Sequence, residues 1–153
     1  MVMKIKTIFS VGLFLLVLVS LTGIYAETVT VGNSSFTLPE GFEVYSVEPN
    51  QVALLNGNES AIRVFSDDNV VDDSEVLKEY RLKLGYTLTS EDNYESDGIM
   101  INKQIYTKDN TTTSAYQFTK NNKTYRIVVS VLNGYSVLED YDYAVTEIIQ
   151  SLN

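Results

Sequence analysis

Ten residues, 123–132, read as one strand with two distinct faces, and the chain then presents a helical stripe that needs a sheet to bury it. In the alternating run Tyr125, Ile127, Val129 and Val131 share one face, while Arg126, Val128, Ser130 and Leu132 share the other. Leu138, Tyr141, Val145, Ile148 and Leu152 then recur at spacings of 3, 4, 3 and 4, which predicts an amphipathic closing helix. Asn133-Gly134 supplies the turn between them, and Ser136 with Glu139 reads as a capping box. A helix of this kind is stable only on a complementary apolar layer, and the Tyr125/Ile127/Val129/Val131 face is the natural one.

The remaining pattern is consistent with that pairing. Residues 28–31 and 35–38 alternate around Gly32-Asn33, and residues 51–55 and 61–65 flank Asn56-Gly57, a strong hairpin signal. Between these hairpins, residues 42–47 form a further strand after the Pro39-Glu40-Gly41 break. Asp72 and Glu75 open a helix whose Val76, Leu77, Tyr80 and Leu84 mark one face, with Gly85 as its stop. Residues 87–97 read as a polar stretch, followed by a three-strand meander over 99–107, 114–120 and 123–132. Asp109-Asn110 and Asn121-Asn122 sit at its turns. The fold class expected is α+β, a mostly antiparallel sheet covered by two helices, in one domain over residues 27–153.

Residues 1–26 stand apart from that domain. Lys4 and Lys6 precede an uncharged run over 7–26 with its apolar heart at 11–21, and Ile24-Tyr25-Ala26 offers a cleavage end before Glu27. This is the form of a signal peptide. An uncharged run of about 20 residues also just spans a hydrocarbon core of roughly 30 Å, so an N-terminal membrane anchor is the competing reading. Both place the bulk of the chain outside. The short apolar heart, ending in Ser20, Thr22 and Gly23, favours cleavage. Leu21-Thr22-Gly23 resembles the start of a lipobox, but Ile24 stands where the acylated Cys must be, which excludes a lipoprotein.

Composition excludes several chemistries. The chain has 20 acidic and 11 basic residues, and the leader carries two of the basic ones and no acid, so cleavage moves the net charge from −9 to −11. Such a surface repels nucleic acid and anionic headgroups alike. Membrane contact is therefore expected only through an uncleaved leader. Neither Cys nor His occurs. Without them there are no disulfides, no thiol nucleophiles, no His-based triads and no ordinary catalytic zinc sites. GxSxG, SxxK, GxGxxG and P-loop motifs are all missing.

The acidic cluster Asp67, Asp68, Asp72, Asp73 and Glu75 is the one candidate for a metal, since Ca²⁺ takes many hard oxygens. Val70 and Val71 occupy its middle, which breaks the EF-hand spacing, and helix capping explains the same residues without a metal. Paired carboxylates could also serve glycan hydrolysis. Tyr86, Tyr94, Tyr106, Tyr116, Tyr135 and Tyr143 are candidates for a recognition surface or for sheet packing, and Tyr143 lies off the closing stripe. Sequons at Asn33, Asn58, Asn110 and Asn122 fall at turns or strand edges, where an exported protein can be glycosylated.

With its elements in this order, the chain resembles the PsbP-like fold. The phrases FTLPEGFEVY (36–45), KTYRIVVSV (123–131) and AVTEIIQSL (144–152) resemble the small exported α+β proteins of methanogenic archaea. The resemblance implies an exported accessory or binding domain without catalysis. The photosystem role of PsbP itself is not carried over, because no functional residue of that family is matched. The expectation is a non-enzymatic interaction domain at the outer face of the cell envelope, with no cofactor and an unidentified protein or envelope partner. Its alternatives are a carboxylate-based glycan hydrolase and a Ca²⁺-binding structural module.

Overall fold

Turn chemistry sets the spacing of the sheet. The computed structural model describes residues 26–57, 60–67 and 74–153. Four ten-residue strands follow one another through two-residue turns: β6 (Thr87–Ser96), β7 (Ile99–Lys108), β8 (Thr111–Lys120) and β9 (Lys123–Leu132). Asp97-Gly98 and Asn121-Asn122 have positive φ at both positions, the geometry that matches the twist of the flanking strands. They pair with β3 (Glu43–Glu48), β4 (Gln51–Asn56) and β5 (Ser60–Asp67) in one antiparallel sheet of order β3-β4-β5-β9-β8-β7-β6. A separate two-stranded sheet joins β1 (Thr28–Val31) to β2 (Ser34–Thr37).

The strand β6 corrects the polar stretch expected over 87–97. Periodicity missed it because β6 is an edge strand, mostly solvated on both faces, so it carries no apolar alternation. Its charged residues also suit an edge, where they discourage pairing with another chain. The meander therefore has four strands.

The predicted core face is present. Tyr125, Ile127, Val129 and Val131 are all buried, and the register aligns them with Ile62 and Val64 of β5 and with Tyr116 and Phe118 of β8. The closing segment lies across this face as a 3₁₀ turn (Leu138–Tyr141) running into α2 (Asp142–Ser151). All five residues of its stripe are buried. Its entry differs from the expected Ser136/Glu139 box. The backbone N–H of Val137 donates to the Asp140 carboxylate at 3.3 Å instead. Lys120 closes the other end, its ammonium donating to the carbonyls of Ile149 and Gln150 at 2.9 Å each. A cation there also complements the negative end of the helix dipole.

The first helix, α1 (Ser74–Lys83), lies against the opposite face and buries no residue. Its expected apolar face stays wet: Val76 is 56% and Tyr80 59% exposed. A cleft lined by Arg63, Phe65, Thr113, Arg126 and Val128 of the sheet opens beneath it, so the helix is not pressed onto an apolar layer. Polar contacts hold α1 instead. Lys78 lies 2.8 Å from Glu75 and 3.0 Å from Glu91 on β6. Arg81 sits over the ring of Tyr106, 5.1 Å from its centroid. Gly85 ends the helix as expected, at φ 86°, with Tyr86 and Gly85 donating back to the carbonyls of Arg81 and Leu82.

Two of these local arrangements have measurable consequences. The Glu91 carboxylate accepts hydrogen bonds from Gln104 and, more weakly in effect, from Lys78, and both hold its pKa below the ordinary value of 4.5. A depressed acid contributes stability that is present above its unfolded value and lost as pH falls through its folded one. Stability should thus decline below pH 4.5, and Glu91→Gln should flatten that decline in denaturant titrations run at several pH values. Ser114 is fully buried on the core face between Ile105 and Val129, and its hydroxyl has no hydrogen-bond partner among the described residues. An orphan hydroxyl in an apolar layer is costly, so Ser114→Ala is expected to stabilise the domain by about 1 kcal/mol, read as a rise in Tm.

Candidate functional site

A cleft of about 370 Å³ opens where α2 passes over the β6–β7 end of the core face. Clefts of this size are the usual seat of small ligands. Strand register supplies its floor. Asp92 on β6, Lys103 on β7 and Tyr116 on β8 stand in one row across three strands. Tyr94 lies one step along, opposite Ile101. Asp142, in the first turn of α2, forms the near wall, and its charge suits the positive end of that helix. At the far end Gln150 donates to the Asp97 carboxylate at 3.0 Å, tying α2 to the β6–β7 turn.

Lys103 is the centre of this arrangement. Its ammonium lies 3.9 Å from Asp142 Oδ1 and 5.1 Å from the centroid of the Tyr116 ring. Burial works against its charge, but attraction by Tyr116, Asp142 and Tyr94 outweighs that, and its pKa is held above the usual lysine value. Burial, reinforced by Tyr116, raises the Tyr94 hydroxyl above its ordinary 10.0. Both groups therefore keep their protons at neutral pH and act as donors. The carboxylates of Asp92 and Asp142, with the Gln150 amide, line the same space and supply acceptors.

Sequence reasoning singled out Tyr94 and Tyr116 but not Lys103, Asp92 or Asp142. The missing signal was Asp97-Gly98 between two runs of equal length, which would have revealed β6 and the face that Asp92 shares with Lys103. Of the other tyrosines, Tyr106 is buried beneath α1, Tyr86 packs edge-on to it, and Tyr135 is exposed. Tyr143 is exposed as expected, its hydroxyl donating to the Glu40 carbonyl at 2.8 Å.

Of the acidic cluster, only Asp67 and Glu75 fall among the described residues. Asp67 ends β5, Glu75 pairs with Lys78, and Asp68, Asp72 and Asp73 lie outside the described residues. Asn33, Asn110 and Asn122 all sit exposed in hairpin turns, and Asn58 lies outside the described residues, as do residues 1–25 of the segment read as a signal peptide or anchor over 1–26. Among the described residues no helix is long and apolar enough to cross a membrane.

No protein-family model matches the chain, and no curated protein matches it. Solved structures do resemble it. The solution structure of cyanobacterial PsbP (CyanoP) from Synechocystis sp. PCC 6803 superposes with a TM-score of 0.55 at 14% identity, covering 86% of this chain and 94% of that one. A crystal structure from Bacteroides thetaiotaomicron superposes at 0.47 and 11% identity, covering 85% of this chain and 48% of that one. The first likeness shows that the chain has a PsbP-like α+β fold. It shows the fold alone.

Proposed function

We propose that the chain is an exported, non-enzymatic binding domain that acts at the outer face of the cell envelope, of the kind its phrases resemble in methanogenic archaea. Its ligand sits in the Lys103 cleft. The observation that carries this reading is the make-up of the cleft, where Lys103 lies 3.9 Å from Asp142 and over the Tyr116 ring, with Asp92, Tyr94 and Gln150 around the same space. A general acid or base works best with a pKa near the operating pH. Here the lysine and Tyr94 are both shifted away from neutrality, in a cleft that interleaves donors with acceptors around an aromatic ring. That arrangement suits a polar, hydroxyl-rich ligand such as an envelope saccharide.

The test is titration of the mature domain with soluble envelope glycan fragments, followed by amide chemical shifts and by release of reducing ends. Saturable shifts confined to residues around Lys103, without new reducing ends, are expected. Hydrolysis abolished by Asp92→Asn or Asp142→Asn would replace this reading with the carboxylate hydrolase, and no shifts at all would remove the cleft from consideration. Sequencing the N-terminus of protein recovered from outside the cells should find Glu27 first. An intact Met1 would overturn cleavage and favour the anchor.

A further inference from the structure

The sequence has three arginines, Arg63, Arg81 and Arg126, and all three line a single cleft on the sheet face opposite Lys103. The hollow holds about 290 Å³ between α1 and strands β5, β8 and β9. Arg63 and Arg126 come from neighbouring strands on the same face. The register places Arg63 opposite Val128 and Arg126 opposite Phe65, so the two arginines are diagonal neighbours. Diagonal positions are about 7–8 Å apart, within reach of long side chains, and like charges so placed repel. Arg81 approaches from the helix above, its guanidinium over the Tyr106 ring.

Two further facts give this convergence a chemical meaning. No aspartate or glutamate is among the described residues lining this cleft. Arg63 has no ion pair and no side-chain hydrogen bond among the described residues. Phe65, Tyr80 and Tyr86 line the same cleft, together with Leu77, Leu84 and Val128. Guanidinium groups present flat forks of donors that match carboxylate, phosphate and sulfate oxygens. Aromatic walls accept a flat or apolar body beside such a group.

We infer that this cleft is a binding site for a small organic anion, an oxyanion group carried on an aromatic or apolar body. The oxyanion sits among the three guanidinium groups, and the body lies along Phe65, Tyr80 and Tyr86. This site lies on the other side of the sheet from the Lys103 cleft, and its occupation does not depend on that cleft having a ligand.

The probes are phenyl phosphate, inorganic phosphate and uncharged phenol, each titrated calorimetrically into the mature domain. Phenyl phosphate is expected to bind saturably and at least about tenfold more tightly than either of the others, with an affinity that falls as salt rises. Arg63→Ala and Arg126→Ala should each weaken it about tenfold or more. Lys83→Ala, an equal loss of charge on the exposed end of α1, should leave it unchanged. Circular dichroism melts on each variant separate lost binding from lost folding, and exposed Arg63 is the variant least coupled to stability. Equal binding of phenyl phosphate and phenol, or of phenyl phosphate and inorganic phosphate, would overturn the inference. So would unchanged affinity in a folded Arg63→Ala protein.

Discussion

Ile148→Ala is expected to destabilise the domain by about 3 kcal/mol, whereas Val76→Ala on the other helix should change stability by less than about 0.5 kcal/mol. Both residues sit on stripes that look amphipathic in sequence. Ile148 is fully buried between α2 and the Ile127/Val129 face, so truncation leaves a cavity that the closely packed strands cannot collapse to fill. Val76 is more than half exposed on a helix that buries nothing. A domain of this size has only about 5–15 kcal/mol of stability, so the first loss is a large share of it. Thermal melts should show Tm falling by roughly 10 °C for Ile148→Ala and barely moving for Val76→Ala. Equal effects in the two variants would mean that α1 packs as tightly as α2.

Phe36→Ala is expected to cost about 4 kcal/mol and to loosen the N-terminal hairpin ahead of the rest. Strands β1 and β2 pair only with each other, and a two-stranded hairpin has little stability of its own. What holds it is Phe36, 1% exposed beneath the end of α2, together with buried Val29 and Val31. A few hydrogen bonds assist. Ser34 and Tyr125 share one at 2.7 Å, Thr37 N–H donates to Ser151 Oγ at 2.9 Å, and Asn153 N–H reaches the Ser35 carbonyl at 3.2 Å. Removing the ring should therefore speed amide exchange at Val29 and Val31 before it affects Ile127 or Val129. Uniform loss of protection across all four would show instead that hairpin and sheet unfold as one unit.

These two variants also mark which features the sequence made legible. The hairpin around Gly32, the stop at Gly85 and the Asn121-Asn122 turn depend on residues adjacent in the chain, and each was readable. The α2 stripe was readable because its period is that of a helix whatever it packs on. The stripe of α1 misled, because periodicity says which residues share a face but not whether anything apolar lies beneath it. Strand β6 was missed because an edge strand shows no alternation of burial, and its pairing with β7 is what defines it. With β6 went Asp92, and with it the row that joins Asp92, Lys103 and Tyr116.

Local chemistry alone was enough to establish the α+β class, the antiparallel meander and the closing helix. Those conclusions rest on periods and turn preferences that act over a few residues. Strand order and register decided the rest. They set the two helices on opposite faces, put Lys103 among Tyr94, Tyr116 and Asp142, and brought Arg63 beside Arg126 from distant parts of the chain. Convergence of that kind depends on which strands pair and in what alignment, and pairing is settled by the packing of the whole core.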